Sequence, residues 1–339
     1  MSPKDILKAK LAGQQTERDL FCPAIYEHKA KLIGESVSKV ATTPKLLEEA
    51  VLAEYETYQP DMLTVGLDIY NIEAQALGAE VVFSEKADVV PSIKEKILTD
   101  ISEVDKLQMP HISTAGRIPL LLEASKKINL VLGKNVLVRG ALSGPYSMAA
   151  ELMGIEPLIM AMMTDQASFV KLLDFTTSFV IAYGKEYIKR GVSVCLFDSQ
   201  ASPPLISPEM FKTFLLPRYQ KIAYEFKTAG CECSEFVIGG QTDSIAGFIL
   251  NSGFDIVLCD YPCDVKSYFN QQTRSLPPVR RNISPILIEQ GDFEAIQSKI
   301  TEMKQLANDF NNLVIGTGVL SYNASSENIL KVKQMCKGD

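Results

Sequence analysis

Short apolar runs rich in β-branched residues alternate along this chain with longer stretches that repeat an apolar residue every third or fourth position. Eight runs stand out, at 20–25, 61–67, 135–141, 192–198, 234–240, 254–260, 279–283 and 312–318. They are nearly continuous rather than alternating, which is the pattern of parallel strands covered on both faces. The stretch 164–191 reads as a helix, capped by Thr164 or Asp165, with Phe169, Leu172, Leu173, Thr176, Phe179, Val180 and Tyr183 on one stripe and a stop at Gly191. A second helix spans 207–230, with Ser207 as cap, Pro208 at its first position and a kink expected at Pro217. A third starts at Asp292 and turns Ile296, Ile300, Met303 and Phe310 inward.

Strand and helix alternate about eight times, so the fold class is α/β and the expected architecture is a (β/α)8 TIM barrel. A doubly wound open sheet is the competing topology. Residues 1–19 are expected to carry an N-terminal helix. Residues 71–134 are too long for one crossover and read as an excursion between strands two and three, with a short extra strand at 79–83. No composition shift marks a linker, so residues 1–339 are read as a single domain.

Composition narrows the partners. The net charge of −7 repels phosphate-rich surfaces, which argues against nucleic acid and anionic membranes. No run approaches the roughly 18–20 apolar residues of a membrane span, and the start lacks a signal-peptide core. A cytoplasmic location follows, with the 7 cysteines as thiols. Cys231 and Cys233 precede strand five while Cys259 and Cys263 bracket the end of strand six, so the four fall at opposite ends of a barrel and cannot share one zinc.

Catalytic groups of such barrels sit at the carboxyl ends of the strands. The residues there are acidic and amide-rich. Asp198 ends an apolar strand and reads as a general base, a substrate anchor, a metal ligand or a loop cap. Glu73, Glu27 and His28 complete the catalytic candidates. Tyr26, Asp68, Tyr70, Asn71, Tyr146, Gln200, Gln241 and Thr317 are the candidate substrate-binding set. Arg139, Ser143, Gly239, Gly240, Asp260 and Tyr261 also fall near strand ends.

Several of these residues lie in strings that resemble the uroporphyrinogen decarboxylase superfamily, and within it the corrinoid-dependent methyltransferase branch: CPAIYEHKAKLIG (22–34), GLDIYNIEAQALGAEV (66–81), GRIPLLLEA (116–124), SGPYSMAAELMGIE (143–156), DSQASPPLISPEMFKTFLLPRYQKI (198–222), NISPILI (282–288) and GTGVLSYNASSENI (316–329). The resemblance spans nearly the whole chain. It implies a (β/α)8 barrel that moves a methyl group between a small methylated substrate, such as a methoxylated compound or a methylamine, and a corrinoid carried by a partner protein. The decarboxylase branch grips porphyrin carboxylates with an arginine-bearing motif, and CPAIYEHKA has no arginine.

The methyltransferase branch places zinc on a His-x-Cys-Gly at strand five and on a cysteine at strand eight. The stretch EFVIGGQTDSI puts Val237 at the histidine and Gly239 at the first cysteine, and Thr317 stands at the second. The usual zinc set is absent, and Asp198, Glu73, Glu27 and His28 are the other groups that a metal would need. Without a metal, protonation would have to activate the substrate. Two alternatives stand beside methyl transfer: a decarboxylase-like lyase acting on a non-porphyrin acid, and a metal-free, non-catalytic relative.

Overall fold

The computed structural model describes residues 1–271, 276–307 and 312–337. All eight expected strands form, and they build the (β/α)8 barrel: β1 (Leu20–Ala24), β2 (Met62–Val65), β3 (Leu137–Ser143), β4 (Ser193–Phe197), β5 (Ser234–Val237), β6 (Ile256–Cys259), β7 (Val279–Ile283) and β8 (Leu313–Val319). Every ladder is parallel, running β2 to β8 in chain order and then from β8 to β1. The seam between β1 and β2 is closed by Asp61. Its backbone N–H donates to the Phe21 carbonyl at 2.9 Å, and its carboxylate accepts from the Phe21 N–H at 2.6 Å. The doubly wound alternative, which needs two free sheet edges, is not adopted.

The helices follow their sequence signals. Gln166–Ile188 is capped by Asp165, whose side chain accepts from the Ser168 N–H, and its predicted stripe is buried from Phe169 to Tyr183. Ser207 caps the next helix, but Pro217 does more than kink it. Phe211–Leu215 widens into a π turn before Leu216–Thr228 continues as α-helix, because a proline ring withdraws one N–H and crowds the turn before it. Phe293–Ala307 buries Ile296, Ile300 and Met303; the remaining predicted residue of that face, Phe310, lies outside the described residues. The N-terminal helix is Pro3–Leu11, shorter than the 1–19 expected. The excursion carries a small hairpin, Val81–Val82 against Ser92–Ile93, and returns through the helix Ile118–Leu132.

The period of two along each strand decides what enters the barrel. One interior level holds Cys22, Thr64, Arg139, Cys195, Glu235 and Arg280, all buried. The next level toward the carboxyl ends holds Ala24, Phe197, Val237, Leu258 and Asn282, which wall a cavity. The lower level is a charged plug. Arg280 Nη1 lies 2.8 Å from Glu235 Oε1, Arg139 Nη1 contacts Glu235 Oε2, and Arg139 Nη2 donates to Thr64 Oγ1 at 2.9 Å.

Candidate active site

The cavity above this plug encloses about 360 Å³, within the usual range for small-molecule sites. It opens at the carboxyl ends of the strands, where barrel enzymes keep their chemistry. Its apolar wall includes Ile69, Phe197, Val237 and Leu258, and its polar wall Tyr26, Tyr70, Ser199, Asp260, Arg280 and Asn282. Tyr26 packs edge-on against Phe197, with centroids 5.7 Å apart.

The polar wall is tied together. Arg280 Nε donates to Asn282 Oδ1 at 3.2 Å, Asn282 Nδ2 donates to Asp260 Oδ1 at 2.9 Å, and Asp260 Oδ2 accepts from the Gly240 N–H at 2.8 Å. Asp260 thus links β7 to the Gly239–Gly240 turn after β5, and the neighbouring Gly239 N–H donates to Ser199 Oγ at 3.0 Å. Tyr70 enters from the β2 loop with φ = +84°, a left-handed conformation that costs a residue with a Cβ about 1–3 kcal/mol. The Ser199 N–H donates to its hydroxyl oxygen at 3.4 Å, and burial pushes the phenol up to about 12.

Of the twelve catalytic and substrate-binding candidates, Tyr26, Tyr70 and Thr317 line this cavity, as do Gly239, Asp260 and Tyr261, which the sequence also placed near strand ends. Asp198 is fully buried behind it. Its carboxylate accepts from the Tyr146 N–H at 3.1 Å, the Ser147 N–H at 2.6 Å and the Tyr219 hydroxyl at 2.8 Å. It therefore caps the helix Pro145–Met153 across space, and Gly144 is required there because a Cβ would collide with the same carboxylate. Burial raises the Asp198 carboxyl above its ordinary range, opposed by these hydrogen bonds.

Glu73 accepts from both the N–H and the hydroxyl of Ser143, at 2.8 and 2.7 Å, and burial raises its carboxyl also. Asp68 pairs with Arg117 at 2.5 Å, and Asn71 accepts from the same guanidinium. The His28 ring lies between the Tyr322 carbonyl at 3.0 Å and the Tyr58 hydroxyl at 2.7 Å. Glu27 precedes the short helix His28–Leu32, and burial raises its carboxyl. Gln200 donates to Glu151 at 2.9 Å, Gln241 is exposed, and Tyr146 is buried with its hydroxyl unpaired among the described residues. None of these nine residues lines the cavity.

Sequence reasoning passed over Arg280, Asn282, Ser199 and the charged role of Glu235. The signal was present: a strand reading Val-Arg-Arg-Asn-Ile has no place in a hydrocarbon core unless its alternate residues meet charges inside the barrel. Arg281, one residue out of phase, instead donates to the Asp260 and Cys263 carbonyls of the β6 loop.

Val237, Gly239 and Thr317, the positions of the expected zinc ligands, all line the one cavity. Valine and glycine have no lone pair to give. The Thr317 hydroxyl oxygen accepts from the Ala24 N–H at 2.9 Å, and a neutral hydroxyl is a poor zinc ligand beside thiolate or imidazole. Among the described residues no three His, Cys, Asp or Glu side chains cluster with metal-binding spacing. The donor set does not fit zinc.

Comparison with known proteins agrees with this geometry. The chain is 25% identical over 252 residues to the methylcobamide:CoM methyltransferase MtbA of Methanosarcina mazei, covering 73% of this chain and 71% of that one. It is 26% identical over 257 residues to the methylcobamide:CoM methyltransferase MtaA of Methanosarcina barkeri strain Fusaro, covering 74% of each. A solved structure of a methyltransferase from Methanosarcina mazei shares the fold with a TM-score of 0.84, at 20% identity and over 99% of this chain and 98% of that one. The family model described as uroporphyrinogen decarboxylase (URO-D) matches residues 2–337. That match takes in all eight strands and every wall of the cavity, and so the chain belongs to the uroporphyrinogen decarboxylase family.

Proposed function

We propose that this barrel is a corrinoid-dependent methyltransferase, moving a methyl group between a small methylated substrate in the cavity and the cobalt of a corrinoid held by a partner protein. The observation that carries the proposal is the cavity itself. It lies at the carboxyl ends of the strands and is walled by hydrocarbon on one side and hydrogen-bonding groups on the other, in a chain similar to relatives named for methylcobamide chemistry. The substrate is a methoxylated compound or a methylated amine of a size to fit about 360 Å³.

The residues have separable tasks. Ile69, Phe197, Val237 and Leu258 exclude water and seat the carbon skeleton. Tyr26, Tyr70, Asp260 and Asn282 orient the polar end. Asp198, Glu73 and Asp68, engaged by the loops and helix behind the cavity, hold its wall in place. The rim has the character of a docking surface, since Tyr261 and Val319 line the cavity yet remain 38% and 53% exposed. A partner seated there would bring its cofactor over the opening, in line with the substrate's methyl group.

The test is direct. Purified protein mixed with reduced cobalamin and a panel of methylated donors is expected to produce the methylcobalamin absorbance spectrum. Silence across the panel would count against methyl transfer. One observation favours a second reading, a lyase acting on a carboxylic acid: the Arg280 guanidinium lines the cavity and would hold a carboxylate. Release of carbon dioxide from an added acid without any corrinoid would select that reading instead.

A further inference from the structure

We infer that the substrate's methyl group is linked through oxygen, and that Tyr26 is the catalytic residue that gives its proton to the departing oxygen. The inference rests on the methyl-transfer reading above and adds a substrate class and an acid to it.

Tyr26 lines the cavity and is only 5% exposed, yet its hydroxyl makes no hydrogen bond among the described residues. Around it, Asp260 accepts from Asn282 and the Gly240 N–H, and the Tyr70 and Thr317 hydroxyl oxygens accept from the Ser199 and Ala24 N–H groups. A donor left open in a cavity wall is a place for an acceptor that arrives with the substrate.

The charges beneath select what that acceptor is. Arg139 and Arg280 share the single carboxylate of Glu235, so this interior level carries two guanidiniums against one anion. The guanidiniums favour negative charge developing near Tyr26, while Asp260 on the cavity wall balances the second of them. The amine that a tetraalkylammonium donor leaves behind is neutral and needs no proton. A thiol partner is normally activated as thiolate by a metal, and the positions for that metal hold Val237, Gly239 and Thr317. An ether is the donor for which a proton at the leaving atom matters most, because it otherwise departs as alkoxide or phenoxide.

Burial raises the Tyr26 phenol above its ordinary value, while Arg280 and Arg139 act in the opposite direction. The hydroxyl is protonated at neutral pH, as any phenol is, and the two guanidiniums ease the release of its proton. In the step, the carbon–oxygen bond breaks and its electron pair stays on oxygen. The methyl carbon bonds to the electron pair of a cob(I)alamin-type corrinoid, which is the co-reactant. The oxygen takes the Tyr26 proton, and the tyrosinate recovers a proton from water when the hydroxylated product leaves. No further reductant is consumed.

The experiment uses the intact protein with free cob(I)alamin and three probes at equal concentration: 2-methoxyphenol, tetramethylammonium and dimethyl sulfide. Methylcobalamin together with catechol, from 2-methoxyphenol alone, is expected. Transfer from tetramethylammonium or dimethyl sulfide with none from 2-methoxyphenol would leave methyl transfer standing and overturn the oxygen assignment. Transfer from none of the three would overturn both readings.

Tyr26→Phe then tests the acid. It is expected to lower kcat on 2-methoxyphenol about 100-fold, within the usual range for a lost proton donor, but to lower kcat on 4-nitroanisole less than about 10-fold, because nitrophenoxide leaves without help. Equal losses on both donors would overturn the role of Tyr26. The unsubstituted protein supplies an independent check: a solvent deuterium isotope effect is expected with 2-methoxyphenol and should shrink with 4-nitroanisole. Its absence with both would also overturn the role.

Discussion

Replacing Asp198 by alanine separates a carboxylate that works on substrate from one that holds the fold. In the structure it accepts three hydrogen bonds, from the Tyr146 and Ser147 N–H groups and the Tyr219 hydroxyl, and is fully buried. Alanine leaves all three donors without their acceptor. Each buried donor so stranded costs about 1–3 kcal/mol, and three together about 3–6 kcal/mol after partial relaxation. Against a total stability of about 5–15 kcal/mol, that is a large fraction. Urea unfolding followed by circular dichroism should show a much lower midpoint for Asp198→Ala. Asp198→Asn should fall between, because an amide keeps one acceptor oxygen but turns an NH₂ toward a donor. The folded fraction of Asp198→Asn should retain most of its methyl transfer, since the carboxylate does not line the cavity. An unchanged midpoint with abolished turnover would refute this reasoning and return Asp198 to the catalytic set.

The remaining predictions concern charge and metal. Glu235→Gln should destabilise the fold by about 3–5 kcal/mol, because two buried guanidiniums lose their shared counter-ion; adding Arg139→Met should recover part of the loss, as read by the same unfolding curves. Burial holds the His28 imidazole below its ordinary value, so the unfolded chain binds this proton first. The His28 contribution is full above the ordinary histidine value of about 6.5 and is lost as pH falls through and below it; the stability difference between the unsubstituted protein and His28→Gln should shrink over that acidic range. Dialysis against a chelator should leave both the thermal melt and methyl transfer unchanged, with elemental analysis as the check. A fall in either would place an essential metal on residues other than Val237, Gly239 and Thr317.

The barrel was legible because its strands are marked by apolar runs and its helices by caps and stripes, signals that are local along the chain. The site was legible only in part. Tyr26, Tyr70 and Thr317 could be placed at the mouth because each follows or ends a strand. Asp198 follows a strand just as directly, and nothing near it in sequence reveals that its oxygens face the start of a helix more than fifty residues earlier. Arg280 and Glu235 were missed for the opposite reason. Their strands seemed to need only apolar neighbours, and the partners that make their burial tolerable come from strands distant in sequence. The widened turn before Pro217 shows the same limit, since proline announces a disturbance without saying which form it takes.

The chain of contacts from Glu235 through Arg280 and Asn282 to Asp260 has a mechanical meaning. Asp260 immediately precedes Tyr261 on the rim, so the part of the loop that would greet a visiting carrier is bolted to the barrel axis. Pressure applied at the lip cannot be absorbed by loose backbone there. It is handed inward, along a strut of four side chains, to the floor of the cavity.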